Sequence, residues 1–158
     1  MRRKFPYHEQ EKSYTCGAAS MRMALEYLGI KKTEKQVVRL LGTNKVKGTW
    51  EEDFPKLVEK YRLNYVVKHR GSISDLKRLH KNGYVVIVCY YPGDKIDHYS
   101  VIKKIDNKKI YLYDPWYGSR GGPNESYKLS YFEKIWKTEK EKDLRWLIAI
   151  KKTYPKNY

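Results

Sequence analysis

The sequence predicts an α+β fold in a single domain over residues 1–158, with a helical part at about 10–82 and an antiparallel sheet at about 83–152. Three observations predict it. Apolar residues in the first half recur at helical spacing, with capping residues and glycines at the segment ends. The second half is a series of short β-branched and aromatic runs. Two of those runs are separated only by the turn residues of "DNKK", which signals a hairpin. At 158 residues, 41% of them hydrophobic and 16 of them tyrosine, the chain can bury a core and is not disordered.

The elements follow in order. "CGAASMRMALEYLGI" is an amphipathic helix, with Ala18, Met21, Leu25 and Leu28 on one face and Gly29 placed to stop it. "TEKQVVRLLG" is a second, with Thr33 and Gln36 in capping-box positions and Gly42 at its end. "TWEEDFPKLVEKY" is a third, whose start is blurred by Pro55 and falls at Asp53 as N-cap. "NYVVKHR" is a strand, and "SISDLKRLHKNG" a short helix ended by Gly83. "YVVIVCYY" is a buried strand broken by Pro92–Gly93. "HYSVIKKI" and "KIYLYDP" form the hairpin. A glycine-rich loop, a short helix near "SYFEKIWK" and a last strand, "RWLIAI", complete the chain.

No apolar run approaches the roughly 20 residues that span a bilayer. The basic start "MRRKFPYHEQ" has no apolar stretch behind it, so it is not a secretory signal, and a cytoplasmic location is expected. Two cysteines cannot make a CxxC-type metal site. A Cys16–Cys89 disulfide does not suit that compartment, and Cys89 reads as a small buried apolar residue. The formal charge of +16 favours an anionic partner. The lysines are spread along the chain between apolar positions, without an arginine-rich tract, and read mostly as a solvated surface. Nucleic acid is therefore not the expected partner.

One position stands out. Cys16 opens the first helix, where the macrodipole and unpaired backbone N–H groups favour a thiolate. Gly17 beside it removes bulk, so a substrate backbone could approach. A cysteine nucleophile needs a base, and the base needs an orienter. Of the four histidines, His8 lies in the N-terminal arm, His69 sits exposed among cations, and His80 lies on a solvated lysine-rich face. His98 begins a strand at a sheet end, where loops carry function. Asp114 ends the partner strand before Pro115.

Register decides whether His98 and Asp114 meet. A two-residue turn at Asn107–Lys108 sets Asp114 opposite Val101, on the wrong face. A three-residue loop, Asp106 to Lys108, sets it opposite Ser100, within diagonal reach of His98 at about 7–8 Å between Cα atoms. The three-residue turn, with one residue in the left-handed region, is the expectation. Gln10 can supply a second oxyanion donor beside the Cys16 N–H. Trp116 can cover the His98–Asp114 pair against water.

These residues, "Q-x5-C-G-A-A-S" leading into a helix, then "D-H-Y-S-V-I" and "Y-L-Y-D-P-W", resemble the bacteriocin-processing cysteine peptidases. Those are papain-like enzymes that remove double-glycine leader peptides, and the resemblance extends to their stand-alone peptidase-39-like relatives. It implies a papain-like fold, with a helical subdomain carrying the cysteine packed on an antiparallel sheet carrying the histidine. It implies Cys16 as nucleophile, His98 as general base, Asp114 as its orienter and Gln10 as oxyanion donor. A peptide or protein substrate follows, and no metal or organic cofactor is required. Hydrolysis of a peptide or amide bond through a thioester is the default, although the same groups can run deamidation or transpeptidation. A catalytically idle peptide-binding domain and a basic nucleic-acid-binding module are the alternatives.

Overall fold

Local chemistry starts and stops each helix in the computed structural model, which describes residues 4–93, 96–118, 121–138 and 143–154. α1 spans Cys16–Tyr27. Gly29, at φ 93°, reverses the chain after it, as a glycine can without steric cost. α2, Glu34–Leu41, opens with the expected capping box: the Thr33 hydroxyl accepts from Gln36 N at 3.1 Å, and Gln36 Oε1 accepts from Thr33 N at 2.9 Å. α3 is Asp53–Lys60. Asp53 is its first helical residue rather than its cap, because its carboxylate is held by Lys47 and Lys56 at 3.2 and 3.3 Å. α4, Ile73–Lys81, carries a second capping box, Ser72 with Asp75, and α5 is Leu129–Ile135.

The strands are β1 Asn64–Lys68, β2 Val85–Tyr90, β3 His98–Ile105, β4 Lys109–Tyr113, β5 Glu125–Lys128 and β6 Leu147–Lys151. They form one sheet in the order β1-β6-β2-β3-β4-β5, every neighbouring pair antiparallel. β2 is buried throughout because the sheet is covered on both faces. Val85, Ile87 and Cys89 point into a cluster shared with α1, α2 and α3. Val86, Val88 and Tyr90 point into a second cluster shared with α4 and α5.

The α+β expectation therefore holds, but the division near residue 82 runs through the layers. β1 belongs to the sheet as an edge strand, and α4 packs on the face opposite α1–α3. α1 is not amphipathic in the ordinary sense. Gly17 to Met21 and Met23 to Leu25 are all buried, as in a helix enclosed on most sides. β5, which lies beyond the glycine-rich loop, is an element the sequence reading did not contain.

The hairpin register departs from expectation in an instructive way. The turn is the two-residue one: Asp106 N donates to Lys109 O at 3.0 Å, and Ile105 pairs with Ile110. Neither Asn107 nor Lys108 takes a positive φ. The Asp106 carboxylate stabilises this turn by accepting from Lys108 N and Lys109 N, each at 2.8 Å. A bulge then follows between Ile102 and Lys104, after which Val101 pairs with Tyr113. The bulge shifts the register by one residue, so Asp114 lies in line with Ser100 as expected, but by a different device.

Candidate active site

One end of the sheet gathers the reactive groups. His98 begins β3 opposite Tyr90 at the end of β2, and Asp114 follows the last residue of β4. The pairing of β3 with β4 brings His98 Nε2 to 2.5 Å from Asp114 Oδ1. Both are buried, at 4% and 0% exposure, so the pair is shielded from water. Cys16, at the mouth of α1, is close enough to act on the same imidazole and raises its pKa. Cys16 of α1, His98 of β3 and Asp114 after β4 are thus brought together at this end of the sheet.

The electrostatics of His98 follow from that arrangement. Burial is the largest single influence and pulls its pKa down. The hydrogen bonds and charges of Asp114 and Cys16 outweigh burial together and push His98 up to about 9. At neutral pH the imidazole is therefore protonated.

Several contacts fix the pair. Asp114 Oδ1 also accepts from Trp116 N at 2.8 Å, and Asp114 N donates to Gly122 O at 2.8 Å. The Tyr90 ring stands edge-on to the imidazole, with centroids 5.6 Å apart and planes at 89°. The Tyr90 hydroxyl is hydrogen-bonded to Ser100 at 2.8 Å. Tyr7 donates its hydroxyl to Asp114 O at 2.6 Å, and its phenol is raised by burial and by the Asp114 charge. Tyr7 and Tyr90 were not picked out from the sequence. Nothing in a lone tyrosine marks it, and only the tertiary fold brings either to this pair.

The N-terminal arm forms one wall of the site. Gln10 N donates to Pro115 O at 2.8 Å, and Glu11 N donates to both carboxylate oxygens of the buried Glu34 at 3.1 Å. The Gln10 side-chain amide donates to Lys12 O at 2.8 Å, which leaves its second N–H available. Trp116 lines an open groove of about 240 Å³ together with Gln10, Lys12 and Tyr117. Trp116 is half-buried, and its backbone N–H engages the pair. Thr15 gives α1 no side-chain cap, because its hydroxyl bonds the backbone of Lys12 instead. The N–H groups at the mouth of α1 are left for another acceptor.

Gly17 requires a correction. It is buried, and a Cβ there would lie 2.9 Å from Thr49 Cβ and Oγ1 and 3.1 Å from the Tyr99 ring. The glycine is needed so that α1 can approach the 43–50 loop and β3, not to clear space for a substrate. Tyr99 reinforces that approach by donating its hydroxyl to Thr49 O at 2.8 Å.

The remaining candidates settle readily. Cys16 and Cys89 are both free thiols, and Cys89 is buried, as its strand pattern implied. His8 pairs with Glu26 at 3.0 Å. His80 is half-buried rather than solvated, and burial pulls its pKa down. The loops before His98 and after Asp114, 90–97 and 117–122, lie partly outside the described residues, at 94–95 and 119–120. Among the described residues no helix is long and apolar enough to cross a membrane.

Comparison with known proteins gives three kinds of match. Residues 2–143 match the Peptidase_C39 like family. A protein of unknown function from Methanothermobacter thermautotrophicus is 33% identical over 109 residues, covering 69% of this chain and 70% of its own. A protein from Methanothermobacter marburgensis is 30% identical over 117 residues, with the same coverage. Among solved structures, the peptidase domain of Streptococcus ComA, a bi-functional ABC transporter involved in quorum sensing, superimposes with a TM-score of 0.76 at 17% identity, covering 95% of this chain and 100% of that one. A C39-like peptidase from Bacillus anthracis gives 0.76 at 17% identity, covering 96% of each chain. A double-glycine-motif protease from an AMS/PCAT transporter, in complex with its leader peptide, gives 0.65 at 20% identity, covering 95% of this chain and 93% of that one.

Proposed function

The chain belongs to the Peptidase_C39 like family, and from that premise we propose that it is a cysteine peptidase acting through Cys16, His98 and Asp114. The observation that carries this is the buried His98–Asp114 hydrogen bond, with Cys16 acting on the same imidazole from the mouth of α1.

Cys16 Sγ attacks the carbonyl carbon of a peptide or amide bond. The oxyanion that develops is met by the Cys16 N–H at the mouth of α1 and by the free N–H of the Gln10 side chain. His98, protonated at neutral pH, passes its proton to the leaving amine, and a thioester remains on Cys16. His98 then takes a proton from water, which attacks the thioester and releases the acid. Asp114 is a positioning residue: it holds Nε2 so that the other ring nitrogen faces the sulfur. Trp116 shields that hydrogen bond from water. The substrate class is a peptide or protein segment. A leader peptide is the specific form favoured by the likeness to the AMS/PCAT protease, whose structure contains one.

Incubating the protein with a peptide library and mapping new termini by mass spectrometry tests the proposal. Cleavage by the wild type, abolished in Cys16→Ala and reduced at least about a hundredfold in His98→Ala, is expected. Tight binding of peptides by both proteins, with no new termini from either, would leave a peptide-binding domain in its place.

A further inference from the structure

A second cluster lies at the same end of the sheet, on its other flank. Glu51, just before α3, His69, just after β1, and Asp143, ahead of β6, bring one ligand atom each within 4.8 Å of one another. His69 Nδ1 and Asp143 Oδ1 are 2.7 Å apart. β6 is two strands from β3 and β1 is three, so the cluster stands about 10–15 Å from His98 at ordinary strand spacing.

The three groups are held in place. Asp143 exchanges bonds with Thr138: its N–H donates to the Thr138 hydroxyl at 3.3 Å, and its carbonyl accepts from Thr138 N at 3.1 Å. Arg70 N and Gly71 N, next to His69, donate to Leu144 O and Arg145 O at 2.7 and 2.9 Å. Glu51 O accepts from Phe54 N at 3.2 Å in the turn that opens α3. The buried Cys89 thiol lies close enough to the Glu51 carboxylate to act on its pKa. One oxygen of Glu51, Oε1, is buried and has no hydrogen-bond partner. A buried acceptor without a donor is costly and calls for a cation or a proton.

We propose that Glu51, His69 and Asp143 form a binding site for a divalent transition-metal cation, with zinc as the representative ion. An imidazole with two carboxylates is a donor set that zinc accepts, at about 2.0–2.2 Å from each atom. Zinc would take the place of the His69–Asp143 hydrogen bond and satisfy the orphaned Glu51 oxygen. The Cys89 thiol serves as the outer partner that orients a liganding carboxylate. His69 is largely exposed, so the ion has a path in and keeps an open coordination position. The ion would tie three chain segments together: the loop entering α3, the end of β1 and the approach to β6. The site is independent of whether Cys16 reacts.

Titration calorimetry with zinc chloride on the full chain tests it. A Cys16→Ala background removes Cys16, the more accessible of the two thiols, as a competing ligand. One zinc per chain is expected there, with a rise in Tm on zinc addition. His69→Ala should bind at least about tenfold more weakly and lose the Tm rise, while keeping the metal-free Tm. Glu51→Gln keeps the shape of its side chain and should weaken binding likewise, which gives the same reading if His69→Ala disturbs the fold. Absence of binding in the Cys16→Ala protein, or binding undiminished by the His69 and Glu51 substitutions, overturns the site.

Discussion

His98 is buried, and its protonation is decided by its two neighbours. Its folded pKa, about 9, lies above the ordinary value of about 6.5. The stability this adds is therefore complete below pH of about 6.5 and lost as pH rises through about 9. Imidazole NMR should show a His98 midpoint near 9. Asp114→Asn removes the carboxylate, so the midpoint should fall, with Cys16 alone left to oppose burial. A midpoint unmoved by that change would mean Asp114 does not hold the ring. Gly17→Ala makes a second residue-scale test. Its new methyl meets Thr49 and Tyr99, and should cost about 1–3 kcal/mol in urea denaturation. A Gly17→Ala variant as stable as the wild type would show that the approach of α1 to the 43–50 loop has slack.

At the scale of elements, the hairpin shows what the sequence offered and what was missed. The need for Asp114 to stand in line with Ser100 was legible, because His98 and Asp114 must share a face. The device was also written in the sequence, in a form easily overlooked. Ile102 and Ile105 both enter the cluster beneath α4 and α5, yet they stand three residues apart. A regular strand alternates faces every residue, so two inward residues at an odd spacing require a bulge between them. The Asp106 side chain selects the short turn, and the bulge restores the register. Deleting Lys103 would make the alternation regular while keeping Asp114 in line with Ser100. The His98 midpoint should then stay near 9, although the bonds from Lys103 Nζ to Pro123 O and Asn124 Oδ1 and its contact over the Tyr113 ring are lost. A midpoint that falls as in Asp114→Asn would show that the bulge itself shapes the pair. β5 was illegible for a different reason: "ESYK" is short and polar, and becomes a strand only because β4 leaves an edge to pair with.

At the scale of the whole molecule, the order of helices and strands was legible because capping residues, glycines and apolar periodicity agree along most of the chain. The layering was not. That α4 covers the face opposite α1 depends on chain crossings that periodicity does not encode. Phe54 joins the layers on the α1 side, its ring packed 5.0 Å from Tyr99 and 5.4 Å from Trp146 between centroids. Phe54→Ala should cost about 3–5 kcal/mol by urea denaturation, and a loss below about 1 kcal/mol would mean the core closes over the gap. The +16 charge behaves as read from the sequence: among the described residues no lysine or arginine is buried.

The whole account turns on whether the fold arms one of its two thiols. Iodoacetamide labelling across pH, with the modified cysteine mapped by mass spectrometry, measures this directly. Cys16 should label quickly well below the free-thiol value of about 8.5, Cys89 should stay nearly unlabelled, and His98→Ala should slow Cys16 alone. Slow labelling of both cysteines at one rate, unchanged by loss of the imidazole, would contradict it.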